Sequence, residues 1–186
     1  MKKLVFDADI TGHHSEYIDH LISYLVKFKS NDTYIFVVHT DFKSIFPEIV
    51  KKTIFTNKIR WIYLQQKELD DCKKNNVILK SLSYFRIMNK YALRYEVSHS
   101  ILLYFNIFQF ALIVKRPPYT LSGILFLQFY RMNANTLKLK LKYYRKYITT
   151  YLYTLNRKID RVYILNDNNI NKLNDTPFII YLKLNL

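Results

Sequence analysis

Glycine is nearly absent from this chain, which has two glycines among 186 residues. Glycine is the usual residue where φ must be positive or where the backbone must approach another group closely. Each of the two, Gly12 and Gly123, is therefore predicted to have a specific backbone role. Gly12 lies in a polar loop after a strand-like run, and His13 and His14 follow it directly. Adjacent histidines are more than a bare turn requires, although a turn flanked by solvated histidines remains an alternative.

Cysteine and long apolar runs are also scarce. The single cysteine, Cys72, excludes an internal disulfide, argues against a cysteine-based zinc site and fits a reducing compartment. The longest apolar run covers residues 101–114 and includes Asn106 and Gln109. A membrane-spanning helix needs about 20 apolar residues, so a core strand followed by a helix is predicted here. The apolar run near Met1 is too short for a secretory signal.

Acidic residues are few, with 14 against 29 basic ones, and the formal net charge is +15. Such an excess favours anionic partners, namely nucleic acid, phosphorylated ligands or an acidic membrane surface. Half of the residues are hydrophobic and 17% are aromatic, a composition that excludes intrinsic disorder. The length is typical of one domain with a sizeable core.

Strand-like and helix-like segments alternate along the chain. The predicted strands cover residues 4–8, 33–40, 58–64, 100–105, 123–129 and 161–165, and the predicted helices 16–29, 43–51, 70–95, 108–115 and 135–158. This alternation, with largely apolar strands, predicts an α/β fold with a doubly wound, mainly parallel sheet of about six strands and helices on both faces. Residues 1–177 are predicted to form this domain, and 178–186 to be a truncated or non-native tail.

The last long predicted helix carries two patterns. Its apolar residues recur at three and four positions and are predicted to face the core: Leu137, Leu141, Tyr144, Ile148, Leu152 and Leu155. Residues 133–158 also contain seven basic side chains, interleaved tyrosines and no acid. Three interpretations stay open, which are a solvated polar face over a core stripe, docking to an anionic membrane, and binding of single-stranded nucleic acid.

Functional residues are expected where parallel strands end, because ligands bind in the crevice beyond the carboxyl ends of the strands. Gly12, His13 and His14 follow the first strand, at a helix start whose free N–H groups suit anions. Asn106 and Gln109 follow the fourth strand, and Arg131 follows the fifth. A histidine with an ordinary pKa near 6.5 can act as acid or base, and an arginine can bind phosphate in a bidentate manner. A helix cap or a solvated loop is the alternative for each position.

A first strand leading into the Gly12-His13-His14 loop, six strand–helix units, and a fifth strand preceded by Ser122-Gly123 resemble a known family. They are similar to the N-terminal, acceptor-side half of GT-B glycosyltransferases of the family-4, group-1 kind from bacterial polysaccharide biosynthesis clusters. The resemblance implies transfer of a sugar from a nucleotide-sugar to a glycan or lipid-linked acceptor, in the cytoplasm and peripherally at the inner membrane face. It implies no metal and no cofactor besides the nucleotide-sugar donor.

The same resemblance assigns roles to individual residues. Gly12 would let the backbone approach the donor diphosphate, and His13 or His14 would lie at the reacting centre, with Arg131, Asn106 and Gln109 as substrate contacts. The donor-side glutamate pair of the family has no match in this sequence. The chain is therefore expected to be incomplete and weakly active or inactive alone, as a truncated gene product, a frameshift product or a protein completed by a separate donor-domain subunit. A non-catalytic binding subunit and a basic nucleic-acid-binding domain remain the alternatives.

Overall fold

Seven parallel strands form one sheet in the computed structural model, which describes residues 1–28, 31–126, 135–165 and 180–184, the last segment as backbone only. The strand order is β3-β2-β1-β4-β5-β6-β7, and every neighbouring pair is parallel. The predicted α/β, doubly wound class is confirmed, with one strand more than the six expected. The additional strand, residues 180–184, lies within the predicted tail and pairs with β6.

The elements follow one another in regular alternation. The strands are β1 (Lys2–Asp7), β2 (Thr33–Val38), β3 (Ile59–Tyr63), β4 (His99–Leu102), β5 (Thr120–Leu125), β6 (Ile159–Leu165) and β7 (Ile180–Leu184). The helices are α1 (His14–Lys27), α2 (Phe42–Ile45), α3 (Pro47–Lys51), α4 (Gln66–Cys72), α5 (Val77–Arg94), the 3₁₀ helix η1 (Phe105–Phe108), α6 (Gln109–Val114) and α7 (Leu137–Thr154).

Two hydrophobic cores lie on opposite faces of the sheet, because successive side chains of a strand point to opposite sides. In β1, Leu4 and Phe6 join the core beneath α4, α5, α6 and α7, while Val5 joins the core beneath α1, α2 and α3. Asp7 follows Val5 on the α1 side. Burial on both faces explains why these strands are almost wholly apolar.

The long helix predicted for residues 70–95 is wrong in its first part, because the structure contains two helices there. Between α4 and α5, the Asn76 side chain accepts hydrogen bonds from the backbone N–H groups of Ile78 (2.9 Å) and Leu79 (3.1 Å). Asparagine is among the best N-cap residues. This cap starts α5 anew after α4 has ended at Cys72.

The apolar stripe of α7 was predicted to face the core, and that prediction is wrong. The helix instead buries Thr149, Thr150, Tyr153 and Thr154 against the sheet and α6. The six stripe residues are exposed, on the opposite side of the helix. Periodicity alone identifies an amphipathic helix, but not which of its faces the sheet covers.

Gly123 permits close contact between two elements rather than an unusual turn. A Cβ atom at this position would lie 2.7 Å from the carbonyl oxygen of Leu102 in β4 and 2.8 Å from Cδ2 of Phe105 in η1. Both neighbours are buried and held in place by the core. Glycine therefore lets η1 pack directly onto β5.

We expect Gly123→Ala to lower the free energy of unfolding by about 1–3 kcal/mol, since the added methyl group overpacks a rigid site. Ser100→Ala in the adjacent strand β4 is the matched control. The Ser100 Oγ is fully buried and has no hydrogen-bond partner among the residues that the structure describes, so its removal should be neutral or mildly stabilising. Urea unfolding of both variants measures the difference, and equal stability of Gly123→Ala and wild type would contradict the packing argument.

Candidate functional site

The crevice of this sheet opens between β1 and β4, where the strand order reverses. From β1 the chain continues to β2 on one side, and after β3 it crosses to β4 on the other side. The loops that follow β1 and β4 therefore diverge and leave a cleft at the carboxyl edge. In doubly wound folds ligands bind at such a switch point.

The loop after β1 is shaped by two aspartates and a glycine. The Asp7 carboxylate accepts the Asp9 backbone N–H at 3.1 Å, and the Asp9 carboxylate accepts the backbone N–H (3.0 Å) and the hydroxyl (2.7 Å) of Thr11. Aspartate side chains that bond two residues onward form compact turns. Gly12 then adopts φ +65°, with nothing within 4 Å of where its Cβ would be. Gly12 is therefore required by conformation, and it leaves the cleft side of the loop open.

A buried carboxylate–imidazole pair joins the end of β1 to the first turn of α1. The Nδ1 atom of His14 lies 2.7 Å from Oδ2 of Asp7. The Asp7 side chain is 2% exposed and that of His14 is 15% exposed. When Asp7 is ionised, its carboxylate can only accept hydrogen bonds, so Nδ1 then carries the proton and Nε2 is left for a ligand. A carboxylate that orients a histidine in this way is the arrangement by which a side chain becomes an efficient general base.

The pKa values of Asp7 and His14 are both raised above the ordinary values of these side chains. Burial raises the pKa of Asp7, and the hydrogen bond from His14 opposes that rise. Burial lowers the pKa of His14, but the hydrogen bond and charge of Asp7 together with the charge of Asp9 outweigh it, so the His14 pKa is raised above 6.5. The pair titrates as a coupled unit. Because both pKa values are raised, its contribution to stability is complete at low pH and is lost as the pH rises through the folded-state pKa values.

Aromatic rings from three elements line the cleft beside His14. The Tyr104 ring packs edge-on against the His14 ring, with centroids 5.5 Å apart, and against Phe126 at 5.6 Å. Tyr17 of α1 contacts Phe126 at 5.7 Å. The cleft has a volume of about 390 Å³ and is also lined by Asp9 and the Thr11–His14 loop. We call Tyr17, Tyr104 and Phe126 the aromatic wall.

A second, smaller cleft of about 250 Å³ lies on the other side of the same loop. Its lining includes His39 at the end of β2 together with Lys73 and Lys80 near the start of α5. Cys72 also borders this cleft, but burial raises the pKa of its thiol to about 12, so the thiol is unreactive at neutral pH. The loop after β1 thus separates the aromatic cleft from one that Asp9 and the two lysines border.

The structure brings some of the predicted site residues together and leaves others apart. Gly12, His13 and His14 all line the aromatic cleft. His13 lies at the exposed rim, where its Nδ1 is 3.0 Å from a Glu16 carboxylate oxygen. Gln109, the first residue of α6, lines neither cleft. Arg131 lies outside the described residues.

Asn106 reaches the site only through another residue. Its amide nitrogen donates to the Phe126 carbonyl, and its amide oxygen accepts the Phe126 backbone N–H at 2.7 Å. Both polar atoms of the side chain are thereby engaged with the backbone at the end of β5. Asn106 holds the Phe126 ring in the aromatic wall, instead of presenting its own amide to a ligand.

The sequence interpretation missed Asp7 and the aromatic wall. Asp7 was included in an apolar strand, and the signal for its role was an acid at the end of a buried run, seven positions before His14. Tyr17, Tyr104 and Phe126 come from three distant segments, so only the topology reveals that they meet. No cluster of three or more His, Cys, Asp or Glu side chains in the described part of the chain can hold a metal ion.

Comparison with known proteins adds no family to this picture. No protein-family model matches the chain, and neither does any curated protein or solved structure. Among the described residues, no helix is both long and apolar enough to cross a membrane. The geometry of the cleft and the resemblance of the Gly12-His13-His14 loop are therefore the features that bear on function.

We expect Asp7→Asn to lower the pKa of His14, since the amide removes the negative charge that outweighs burial. An NMR titration of the histidine Cε1–H signals against pH measures this shift. His99 is an internal control, because its ring nitrogens bond Thr120 (2.7 Å) and Ser122 (2.8 Å) at the opposite edge of the sheet. An unchanged His14 midpoint in Asp7→Asn would contradict the coupling, whereas the His99 midpoint should not move.

Proposed function

We propose that this chain is the acceptor-binding domain of a glycosyltransferase that moves a sugar from a nucleotide-sugar to a hydroxyl group of a glycan or lipid-linked acceptor. The observation that carries this proposal is the buried Asp7–His14 pair at the switch point of the sheet. An oriented imidazole in an open cleft suits the removal of a proton from a hydroxyl group. The resemblance of the Gly12-His13-His14 loop to glycosyltransferases points to the same chemistry.

The aromatic wall supports a saccharide as the ligand. Sugar rings present apolar C–H faces and polar hydroxyl edges, and a pocket of aromatic rings with a few placed polar groups suits both. Tyr17, Tyr104 and Phe126 supply the apolar surface. His14 and Asp9 lie along the same cleft and supply the polar contacts.

In the proposed reaction the acceptor hydroxyl oxygen attacks the anomeric carbon of the donor sugar. A C–O glycosidic bond forms, the bond between the anomeric carbon and the phosphate oxygen breaks, and the nucleoside diphosphate leaves with the bonding electrons. The hydroxyl proton passes to Nε2 of His14. Asp7 stabilises the resulting imidazolium through the hydrogen bond at Nδ1.

Two features beside the cleft suit the charge of a donor diphosphate. The first turn of α1 has no side-chain cap, so its N–H groups are available to an anion. Lys73 and Lys80 carry positive charge on the other side of the Gly12 loop. We assign the donor phosphates to this edge and the acceptor to the aromatic cleft.

Acceptor binding by this chain is the direct test. We expect oligosaccharides or glycosyl diphosphate lipid analogues to shift the NMR signals of His14, and Tyr104→Ala to weaken that binding at least about tenfold by removing a wall ring. His20→Ala is the matched control, since His20 is exposed on α1 and does not line the cleft. The assignment would be contradicted if no saccharide moves the His14 signal, or if Tyr104→Ala binds as tightly as wild type.

The pH dependence of transfer, measured with this chain completed by a donor-binding domain, tests the role of His14. Because the neutral imidazole is the base, we expect the rate to rise as the pH rises through the His14 pKa, which lies above 6.5. Asp7→Asn should move this rise in rate to lower pH and should reduce the maximal rate. Release of nucleoside diphosphate from UDP- and GDP-sugars with a bound acceptor is the readout. A rate that falls across this range would contradict the base role, and acceptor binding without transfer from any donor would support a binding subunit instead.

A further inference from the structure

Helix α7 turns its apolar stripe away from the part of the protein that the structure describes. The buried side of the helix consists of Thr149, Thr150, Tyr153 and Thr154. At 100° per residue the stripe lies on the opposite side, and its members are exposed: Leu137, Leu141, Tyr144, Ile148, Leu152 and Leu155. Leu141 is 64% and Ile148 is 51% exposed. A continuous apolar face of this length marks an interaction surface.

Positive charge flanks the stripe. Three basic side chains, Lys138, Lys140 and Arg145, are exposed on either side of the stripe, and no acidic residue occurs between positions 135 and 158. At 100° per residue, Lys142 and Lys146 instead lie toward the buried side of the helix, where burial and the neighbouring charges of Lys142 and Arg145 lower the pKa of Lys146. An anionic surface laid against the stripe would meet the three flanking charges. We call the stripe together with Lys138, Lys140 and Arg145 the α7 face.

We propose that the α7 face docks onto the surface of an anionic lipid bilayer. Helices that lie in the membrane interface combine one apolar face with flanking Lys and Arg, whose stems lie along the hydrocarbon while their charges meet the lipid phosphates. Tyr144, Tyr147 and Tyr151 are exposed beside or within the stripe, and tyrosine favours the headgroup region. The 18 residues of α7 extend about 27 Å along the bilayer surface.

The charge of the helix argues against a second copy of this chain as the occupant. A twofold contact through the stripe would bring Lys138, Lys140 and Arg145 of the two copies together, and like charges at an interface cost binding energy. An anionic surface matches the positive charge on both sides of the stripe. The proposal concerns α7 alone and does not depend on the reaction proposed for the cleft.

Sedimentation with vesicles tests the docking of the full chain. We expect it to pellet with vesicles of phosphatidylcholine mixed with phosphatidylglycerol at low salt, and far less with phosphatidylcholine alone. The double variant Leu141→Ser/Ile148→Ser should bind at least about tenfold more weakly, because it removes the centre of the stripe. Lys138→Gln and Lys140→Gln should each weaken binding about fivefold. Phe55→Ser is the matched control, as Phe55 is 99% exposed beyond α3 on the other side of the sheet.

A site-specific probe shows whether the stripe itself enters the lipid. With Leu141→Cys, an environment-sensitive thiol dye should shift to the blue on adding anionic vesicles, and with Phe55→Cys it should not. The native Cys72 is buried with a raised thiol pKa, so labelling is selective for the introduced site.

Three outcomes would overturn the proposal. The first is failure of wild type to sediment with anionic vesicles at low salt. The second is equal binding by wild type and Leu141→Ser/Ile148→Ser, which would leave charge as the only contribution. The third is a concentration-dependent dimer that the same double variant abolishes, without vesicle binding, since that would make the stripe a contact between two copies. The circular dichroism of each variant confirms that α7 is retained.

Discussion

The hydrogen bond between Asp7 and His14 is the constraint on which the rest of the site depends. It fixes the carboxyl end of the central strand to the first turn of α1, at the one place where the strand order reverses. Burying a carboxylate is costly unless it is paired and hydrogen-bonded. Asp7 meets that requirement through its hydrogen bonds with His14 and with the Asp9 backbone N–H. These hydrogen bonds in turn determine the path of the loop that carries Gly12.

The remaining features of the cleft follow from this anchor. Once the loop is fixed, Gly12 must take a positive φ so that α1 can begin at His14. The imidazole then lies against Tyr104, which contacts Phe126, and Asn106 holds the backbone of Phe126. The two glycines have different roles, because Gly12 adopts a positive φ and Gly123 leaves room for the close contact with Leu102 and Phe105. Neither requires a ligand to explain it.

The sequence predicts the sheet and its parallel strands well, because apolar strands are local patterns, and the loop after β1 is a local pattern too. It does not reveal Asp7 as a partner of His14, since that pairing depends on how α1 returns over the strand. Asn106 was correctly placed at the end of β4, but its amide is engaged by a backbone group from β5. Such long-range contacts leave no local signature.

The wrong prediction of which face of α7 is buried also has a physical reason. Threonine and tyrosine bury against the sheet there, while leucine and isoleucine are exposed, which reverses the usual assignment of an amphipathic helix. The proposed contact with a lipid surface would account for a pattern that is normally explained by the core. Docking through α7 would also hold the sheet, and the cleft at its edge, next to the membrane where lipid-linked acceptors reside.

The tautomer of His14 is the measurement that tests this account most directly. Nitrogen-15 NMR of the imidazole, recorded above the His14 pKa, distinguishes a proton on Nδ1 from a proton on Nε2. The account predicts that neutral His14 carries its proton on Nδ1, donates it to Asp7 and leaves Nε2 as an acceptor for a hydroxyl proton. A proton on Nε2 would contradict it, because Nδ1 would then be the acceptor and His14 could not serve as the base in the cleft.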